Sequence, residues 1–121
     1  MVATAKRIAA GSDERLKMGN VDIVRDWGWA PEYADAMWRM LQQERPLDLV
    51  IATGRSRRLA DIVALCFERV GLDWRKHVEV NAGSLRPADI RKHHADPSRA
   101  RELLHWEAEV GVEDMVARLM A

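Results

Sequence analysis

A helix pattern followed directly by a strand pattern, within residues 25–54, most strongly constrains the fold of this 121-residue chain. The helical part carries one apolar stripe, and Pro31 suits its first turn, where no backbone N–H is needed. The stripe consists of Tyr33, Ala34, Met37, Trp38 and Leu41. Residues 48–53 form a mostly apolar run closed by a glycine, which is typical of a strand covered on both faces. We predict a helix over 31–44 packed through the stripe on a sheet containing 48–53, with Arg25 on the preceding turn.

Shorter elements flank this stretch on both sides. Residues 4–17 predict either a helix interrupted at Gly11 or a helix that stops near Ala10 and is followed by a loop. Residues 21–25 alternate weakly between apolar and polar side chains, so they can form a short edge strand. Residues 77–80 alternate as a short strand does.

Three more helices are predicted in the second half of the chain. The first has Ser56 as its N-cap and ends at Gly71. Its inner face consists of Leu59, Ile62, Val63, Cys66 and Val70. The second begins at Asp96, which caps it, and the last covers 112–120. This order of elements predicts an α/β fold with a partial sheet of short strands and about five helices.

Charge and apolar content exclude several classes of function. Lys plus Arg number 19 and Asp plus Glu number 19, so no bulk field favours nucleic acid or an anionic membrane. No apolar run approaches the roughly 18–20 residues that span a bilayer, and the first residues lack a signal-peptide core, so a cytoplasmic location is the default expectation. The single cysteine, Cys66, cannot form an internal disulfide and is predicted to be an inert core thiol.

Several short motifs carry a resemblance to a known family. They are Arg25-Asp26-Trp27-Gly28, the helix residues Tyr33 and Ala36-Met37-Trp38, Leu41-Gln42-Gln43, and Val50-Ile51-Ala52-Thr53-Gly54. Together they resemble the C-terminal part of GDP-mannose 4,6-dehydratases, extended short-chain dehydrogenase/reductase enzymes that act on nucleotide sugars. The similarity extends from about Arg7 to the end of the chain. It implies a single substrate-lobe domain over 1–121, truncated relative to the family and lacking the dinucleotide-binding domain.

The chain lacks the residues from which this superfamily builds its redox site. Its seven glycines are all at least eight residues apart, so no Gly-rich dinucleotide-binding turn exists. The superfamily uses a tyrosine with a lysine four residues later, whereas the only tyrosine here, Tyr33, is followed by Met37. In the complete family enzyme NADP oxidises the sugar at C4, water leaves across C5–C6 and the hydride returns, giving GDP-4-keto-6-deoxymannose. We expect this chain to hold no NADP, to contain no catalytic residue and to be inactive alone.

The resemblance implies four substrate-binding residues. Arg25 and Arg86 match arginines that contact the diphosphate of the sugar nucleotide, a task that suits the planar, permanently charged guanidinium. Asp89 matches an acid that accepts ribose hydroxyls, and Asn20 matches a position near the nucleotide. Simpler structural roles remain open: a surface pair of Arg25 with Asp26 or a helix-start contact by Arg25, a helix start shaped by Pro87 and Asp89 in place of the second site, and a turn at Asn20.

The sequence gives weaker indications of ligand binding by other polar and aromatic residues. Metal binding is not expected, because the adjacent His93 and His94 point in different directions on any regular element. The basic residues at 55–58 fit a solvated face better than a phosphate site, although a helix N-terminus nearby keeps the second possibility open. Trp27 and Trp29 fall on the predicted loop, where either can stack on a base or a sugar.

Two functions follow, one ligand-binding and one not. The first is a GDP-mannose 4,6-dehydratase-like C-terminal region that binds a GDP-sugar weakly. The second is a non-catalytic interaction or oligomerisation module, favoured by departures from the family such as His105-Trp106-Glu107-Ala108 in place of Gly-Trp-Lys-Pro. In the family this lobe packs against the cofactor domain, so its isolation bares apolar surface. We therefore expect the chain to dimerise, to aggregate, to fold with rearranged ends, or to bind a chain that supplies the missing domain.

Overall fold

The computed structural model describes residues 1–81 and 90–121 and confirms an α/β fold. Within these ranges five α-helices accompany four strands of three residues each. The helices are α1 (Val2–Ala9), α2 (Ala30–Leu41), α3 (Leu59–Glu68), α4 (Ser98–Leu104) and α5 (Val112–Met120), with a short 3₁₀ helix at Trp74–Lys76. The strands are β1 (Leu16–Met18), β2 (Val24–Asp26), β3 (Ser56–Arg58) and β4 (Val78–Val80). None of the helices in the described ranges has the length and hydropathy needed to cross a lipid bilayer.

The described strands form two separate ladders rather than one sheet. β1 pairs with β4 in parallel, with Leu16 opposite Val78. β2 pairs with β3 in the antiparallel sense, with Arg25 opposite Arg57. Val24 also forms a parallel bridge with Lys92 on the other edge of β2. The strand predicted at 77–80 is confirmed, and the one predicted at 21–25 is displaced by a few residues toward its C-terminal end.

The first helix stops early, which decides between the two alternatives for residues 4–17. α1 ends at Ala9, and Gly11 has a left-handed backbone (φ 98°) that begins the loop. Leu16–Met18 then forms β1 instead of continuing a helix, because this segment pairs with β4. The helix followed by a loop is therefore the correct interpretation.

The predicted strand at residues 48–53 is wrong. The segment has apolar side chains on one side, where Leu47, Leu49 and Ile51 pack against a cluster that contains Ala36 and Ala100. Within residues 1–81 and 90–121, however, 48–52 make no backbone–backbone hydrogen bond, and Val50 is 52% exposed. A strand exists only when a neighbouring strand satisfies its backbone groups. The apolar run has no such neighbour among the described residues.

Helix α2 buries a different face from the one predicted. Ala36 is fully buried, and Tyr33 and Met40 pack beside it on the same cluster. The expected core residues Met37, Trp38 and Leu41 are instead 59%, 60% and 82% exposed. The predicted stripe was assigned to a sheet containing residues 48–53. The segment containing Leu49 and Ile51 does pack on α2, but against the Ala36 side, so these three large apolar side chains lie at the surface.

Helix α3 matches its predicted stripe but not its predicted start. Ile62, Val63 and Cys66 are buried, and burial raises the pKa of the Cys66 thiol, as expected for an inert core cysteine. Ser56 does not cap this helix: it lies in β3, and its hydroxyl donates to the backbone carbonyl of His93. Gly71 has the left-handed backbone (φ 73°) predicted after the helix end.

The last two helices agree with the sequence pattern. Asp96 accepts a hydrogen bond from the Ser98 N–H at 3.0 Å, but Pro97 and not Asp96 occupies the N-cap position of α4, so the predicted cap is displaced by one residue. That hydrogen bond lowers the pKa of the Asp96 carboxyl. Helix α5 has the predicted bounds, and its residues Val112, Met115 and Val116 pack against Ile62 and Cys66 of α3.

Candidate functional site

Arg25 occupies the centre of β2 rather than a turn. Its side chain is partly buried, and its Nη1 donates to the Val24 carbonyl at 2.9 Å. Directly across the ladder lies Arg57, and opposite residues of an antiparallel pair project from the same face with Cα atoms about 4.5–5.5 Å apart. Two guanidinium-bearing side chains therefore begin from one face of the β2–β3 ladder.

Asp26 connects the end of β2 to the start of α2 and to the turn at residues 53–55. Its Oδ1 accepts from the Thr53 N–H at 2.8 Å and from the Tyr33 hydroxyl at 3.3 Å. Thr53 Oγ1 in turn accepts from the Arg55 N–H at 3.0 Å. The other carboxylate oxygen of Asp26 is buried and has no hydrogen-bond partner within the described part of the chain. Asp26 thus has a structural role beside Arg25, which excludes the simple surface pair of the two.

Tyr33 and Gly28 complete this junction. Burial of the phenol, followed by the nearby charge of Asp26, raises the pKa of Tyr33 to about 12. A Cβ atom added at Gly28 would collide with the Tyr33 ring. The Arg-Asp-Trp-Gly motif and Tyr33 therefore form one packed unit, in which the glycine leaves room for the tyrosine.

The basic residues at 55–58 have three different environments. Arg55 donates from Nη2 to the Ala108 carbonyl at 2.9 Å and so has a structural partner. Arg58 lies opposite Val24 and pairs with Asp61 at 3.1 Å and Asp22 at 3.6 Å. Arg57 pairs only loosely, with Glu113 at 3.7 Å, and its side chain is 54% exposed.

Of the remaining predicted substrate residues, the structure describes the surroundings of Asn20 only. Asn20 Oδ1 accepts from the Asp22 N–H at 2.9 Å, which is the turn arrangement weighed against binding. Arg86 and Asp89 lie outside the described residues. Arg25 and Asn20 are therefore the two predicted site residues with a described environment, and ligand binding by all four stays a prediction.

The tryptophans at 27 and 29 are partly buried rather than loop-exposed. Trp27 donates from Nε1 to the Arg57 carbonyl at 3.1 Å and packs against the cluster that contains Cys66 and Val112. The Arg118 guanidinium lies 5.5 Å from the centre of the Trp29 ring. Trp27 thereby fixes the backbone of β3 next to Arg57.

A separate cleft of about 520 Å³ lies at the start of α2, and several of its polar groups have protein partners. The Glu32 carboxylate accepts from the N–H groups of Glu109 and Val110 at 2.9 and 3.1 Å. Asp35 and Arg39 form an ion pair at 2.9 Å. The Glu32 contacts join α2 to the segment after α4, whereas the Asp35–Arg39 pair lies within α2, so both sets of contacts have a structural role.

Arg57 is a half-exposed arginine that sequence reasoning did not single out. Residues 55–58 were treated as one basic cluster, and three arginines in four positions look equivalent in sequence. Their difference comes from the strand at Ser56–Arg58, whose alternation separates Arg57 from Arg58. Recognising this strand, in place of a helix start at Ser56, is the signal that would have found Arg57.

The family model and the curated relatives that match this chain belong to the same family. The family model described as GDP-mannose 4,6 dehydratase matches residues 1–119. GDP-mannose 4,6 dehydratase 1 of Arabidopsis thaliana is 40% identical over 114 residues, which cover 94% of this chain and 32% of the relative. The corresponding protein of Dictyostelium discoideum is 34% identical over 131 residues, covering 94% of this chain and 37% of the relative. The chain therefore spans about a third of the length of these relatives.

Solved structures share the fold at lower sequence identity. The dTDP-glucose 4,6-dehydratase of Bacillus anthracis, determined with NAD, superposes with a TM-score of 0.81 at 15% identity, covering 98% of this chain and 36% of that protein. The UDP-glucose 4-epimerase of Thermotoga maritima, determined with UDP-glucose, gives a TM-score of 0.80 at 23% identity, with 98% and 37% coverage. Since the family model extends over nearly every residue, this chain belongs to the GDP-mannose 4,6-dehydratase family.

Proposed function

We propose that residues 1–121 form a single substrate-binding domain that holds the diphosphate of a GDP-sugar through Arg25. The observation that carries the proposal is the placement of Arg25 at the centre of β2, beside an Asp26 that joins the strand to α2 and to Thr53. A guanidinium on a strand fixed at its end loses little freedom when it binds phosphate oxygens. Family membership supports a GDP-sugar as the nucleotide.

The remaining parts of the proposal rest on the resemblance and on residue counts. Arg86 and Asp89 would add a second phosphate contact and a ribose contact, and Asn20 would lie near the nucleotide. NADP and the catalytic residues would come from outside this chain, because it has no Gly-rich turn and no tyrosine–lysine pair. We therefore propose a cytoplasmic region that is inactive by itself.

The energy available from two arginines sets the expected affinity. A charge-assisted hydrogen bond contributes roughly 1.5–3 kcal/mol net, so two contribute about 3–6 kcal/mol. Micromolar binding requires about 8 kcal/mol, before the entropy of immobilising the ligand is counted. We expect the isolated chain to bind GDP-mannose weakly, on the millimolar scale.

Calorimetric titration with GDP and GDP-mannose tests the proposal. Wild type should release heat on binding, and Arg25→Ala should lose about ten- to a hundredfold in affinity because a charge-assisted phosphate contact disappears. Arg69→Ala is the matched control, since this exposed arginine at the end of α3 carries the same charge. Arg25→Lys separates loss of the planar fork from loss of charge. Equal affinities in wild type and Arg25→Ala, or no heat at millimolar ligand, would contradict the proposal.

The exposed stripe of α2 favours a second candidate, an interaction or oligomerisation module. Met37, Trp38 and Leu41 each expose more than half of their surface. Exposed apolar groups of this size on one helix are typical of contact surfaces. The occupant would be a second copy of the chain or a chain that supplies the cofactor domain. Stable association without any heat from nucleotide would favour this candidate over the first.

A further inference from the structure

We infer that residues 47–51 form an open strand edge through which two copies of the chain pair around a two-fold axis. The inference rests on the second candidate function, since it names a contact that a second copy would make. Burial alternates along the segment, as in an extended strand, whose side chains alternate between two faces. The partly buried residues are Leu47, Leu49 and Ile51, and the exposed ones are Asp48 and Val50.

The backbone of this segment is what a second strand would recognise. Within residues 1–81 and 90–121, the segment makes no backbone–backbone hydrogen bond. Its apolar face is already packed, because Leu47, Leu49 and Ile51 contact the cluster that contains Ala36. An extended segment with unpaired N–H and C=O groups is a template for pairing with a strand of another molecule.

The hydrogen bond of Thr53 indicates which edge of the segment faces away from the molecule. Its N–H donates to Asp26 Oδ1 at 2.8 Å. Successive residues of an extended strand direct their backbone groups to opposite edges, so Leu49 shares the edge that faces Asp26. The backbone groups of Asp48 and Val50, whose side chains are exposed, lie on the other edge. A second copy would pair along that edge.

The residues of the segment select one register for two-fold pairing, which is antiparallel. With Leu49 on the axis, Asp48 of each copy exchanges both backbone hydrogen bonds with Val50 of the other, about four bonds in all. A register centred on Asp48 would oppose two carboxylates and would use Pro46, which has no N–H. A register centred on Val50 would use Ala52, which is only 5% exposed.

The charges of the segment favour a second copy as the occupant. Asp48 is the one charged residue in 46–53, and in this register it faces Val50 of the second copy rather than its own equivalent. The whole chain has 19 basic and 19 acidic residues, so two copies do not repel each other through net charge. The edge is therefore complementary to itself in the antiparallel sense.

Two substitutions at Val50 test the pairing with opposite expected effects. Val50→Lys places a cation opposite Asp48 of the second copy, whereas Val50→Glu places a like charge there. In sedimentation velocity, Val50→Lys should dimerise about ten- to a hundredfold more tightly than Val50→Glu, because the contact occurs twice in the dimer. Both variants remove the same exposed apolar side chain, so misfolding cannot produce this difference. The matched controls Leu119→Lys and Leu119→Glu, on α5, should differ less than about twofold.

Amide hydrogen exchange reports the backbone bonds directly. As the concentration of wild type rises, exchange at Asp48 and Val50 should slow about tenfold or more, because their N–H groups become paired in the dimer. Exchange at Leu49, whose N–H lies on the opposite edge, should change less than about twofold. Exchange at Asp48 and Val50 that is independent of concentration would overturn the inference.

The inference and the candidate function on which it rests fail in different ways. If Val50→Lys and Val50→Glu dimerise equally while Leu41→Lys weakens association, the strand pairing is refuted and association through α2 stands. If wild type stays monomeric at high concentration, self-association itself is refuted.

Discussion

At the scale of single residues, a buried carboxylate next to the candidate phosphate arginine organises the local structure. Asp26 accepts from the Thr53 N–H and the Tyr33 hydroxyl, and its second oxygen is buried without a partner in the described ranges. Leaving such an oxygen unsatisfied is costly, so the neighbouring contacts must hold it in place. The Asp26–Tyr33 contact is directly measurable, because Tyr33 is the only tyrosine in the chain.

Titration of the tyrosinate absorbance reports this contact. We expect the pKa of Tyr33 to be about 12, raised by burial and by Asp26. Asp26→Asn should lower it toward the ordinary value of 10.0, because the neighbouring negative charge is removed. Asp13→Asn, in an exposed loop, is the control and should leave it unchanged. A wild-type value at 10 would refute the buried contact.

The raised pKa of Tyr33 also predicts how the free energy of unfolding changes with pH. The unfolded chain releases the phenol proton near pH 10, whereas the folded chain retains it until about pH 12. The stabilisation is therefore complete below pH 10 and is lost as pH rises through the folded pKa. Denaturant unfolding of wild type at several pH values should show this loss of unfolding free energy above pH 10. In Tyr33→Phe the unfolding free energy should fall less steeply with pH over the same range.

At the scale of elements, the end of α4 contains a histidine where a glycine is favoured. His105 follows Leu104 with φ 48° and ψ 42°, a left-handed conformation that costs a non-glycine residue about 1–2 kcal/mol. Glycine avoids this cost but has greater freedom in the unfolded chain, worth about 0.5–1 kcal/mol. The family resemblance has glycine at this place, so the histidine is a departure that introduces strain.

Substitution of this histidine should stabilise the chain. His105→Gly is expected to raise the free energy of unfolding by about 0.5–1 kcal/mol, the difference between the two effects. The Arg39 contact to the His105 carbonyl uses the backbone and survives the change. His94→Gly, at a residue without a left-handed backbone, should instead lower stability. A loss of stability in His105→Gly, measured by denaturant unfolding, would show that its side chain makes a compensating contact.

The elements that the sequence predicts well are helices, because a helix satisfies its backbone hydrogen bonds within its own segment. Helix α3 buries Ile62, Val63 and Cys66 of its predicted stripe, and α5 buries Val112, Met115 and Val116, whereas Leu119 of the α5 stripe is 44% exposed. Residues 48–53 have an equally clear apolar pattern, but a strand depends on a distant partner that no local pattern reveals. On α2 the spacing indicates an apolar side but not which residues contact the neighbouring segment: Ala36 is buried, whereas Met37, Trp38 and Leu41 are exposed. Arg25 could be identified from its motif, whereas Arg57 required the register of β3.

At the scale of the whole molecule, the exposed stripe of α2 leaves an apolar surface open to contact. The chain spans about a third of the length of the curated relatives it matches. Met37, Trp38 and Leu41 present a continuous helical stripe with Val50 exposed as well. Apolar surface of this kind drives association in water.

Self-association through this stripe is testable by sedimentation velocity. The wild-type chain should dimerise or aggregate as concentration rises, and Leu41→Lys should shift the equilibrium toward monomer, because Leu41 is 82% exposed. Leu119→Lys, on the partly exposed side of α5, should not change association. Both variants should keep the free energy of unfolding of the monomer within about 0.5 kcal/mol, since exposed substitutions have small effects. A wild-type chain that stays monomeric at high concentration would contradict the prediction.

The most direct test of the phosphate site is nuclear magnetic resonance of the arginine side chains during titration with GDP-mannose. We predict that the Nε–H signal of Arg25 shifts in proportion to ligand bound, while that of Arg69, an exposed arginine at the end of α3, stays unchanged. An Arg25 signal that does not move while other residues respond to GDP-mannose would contradict the central claim.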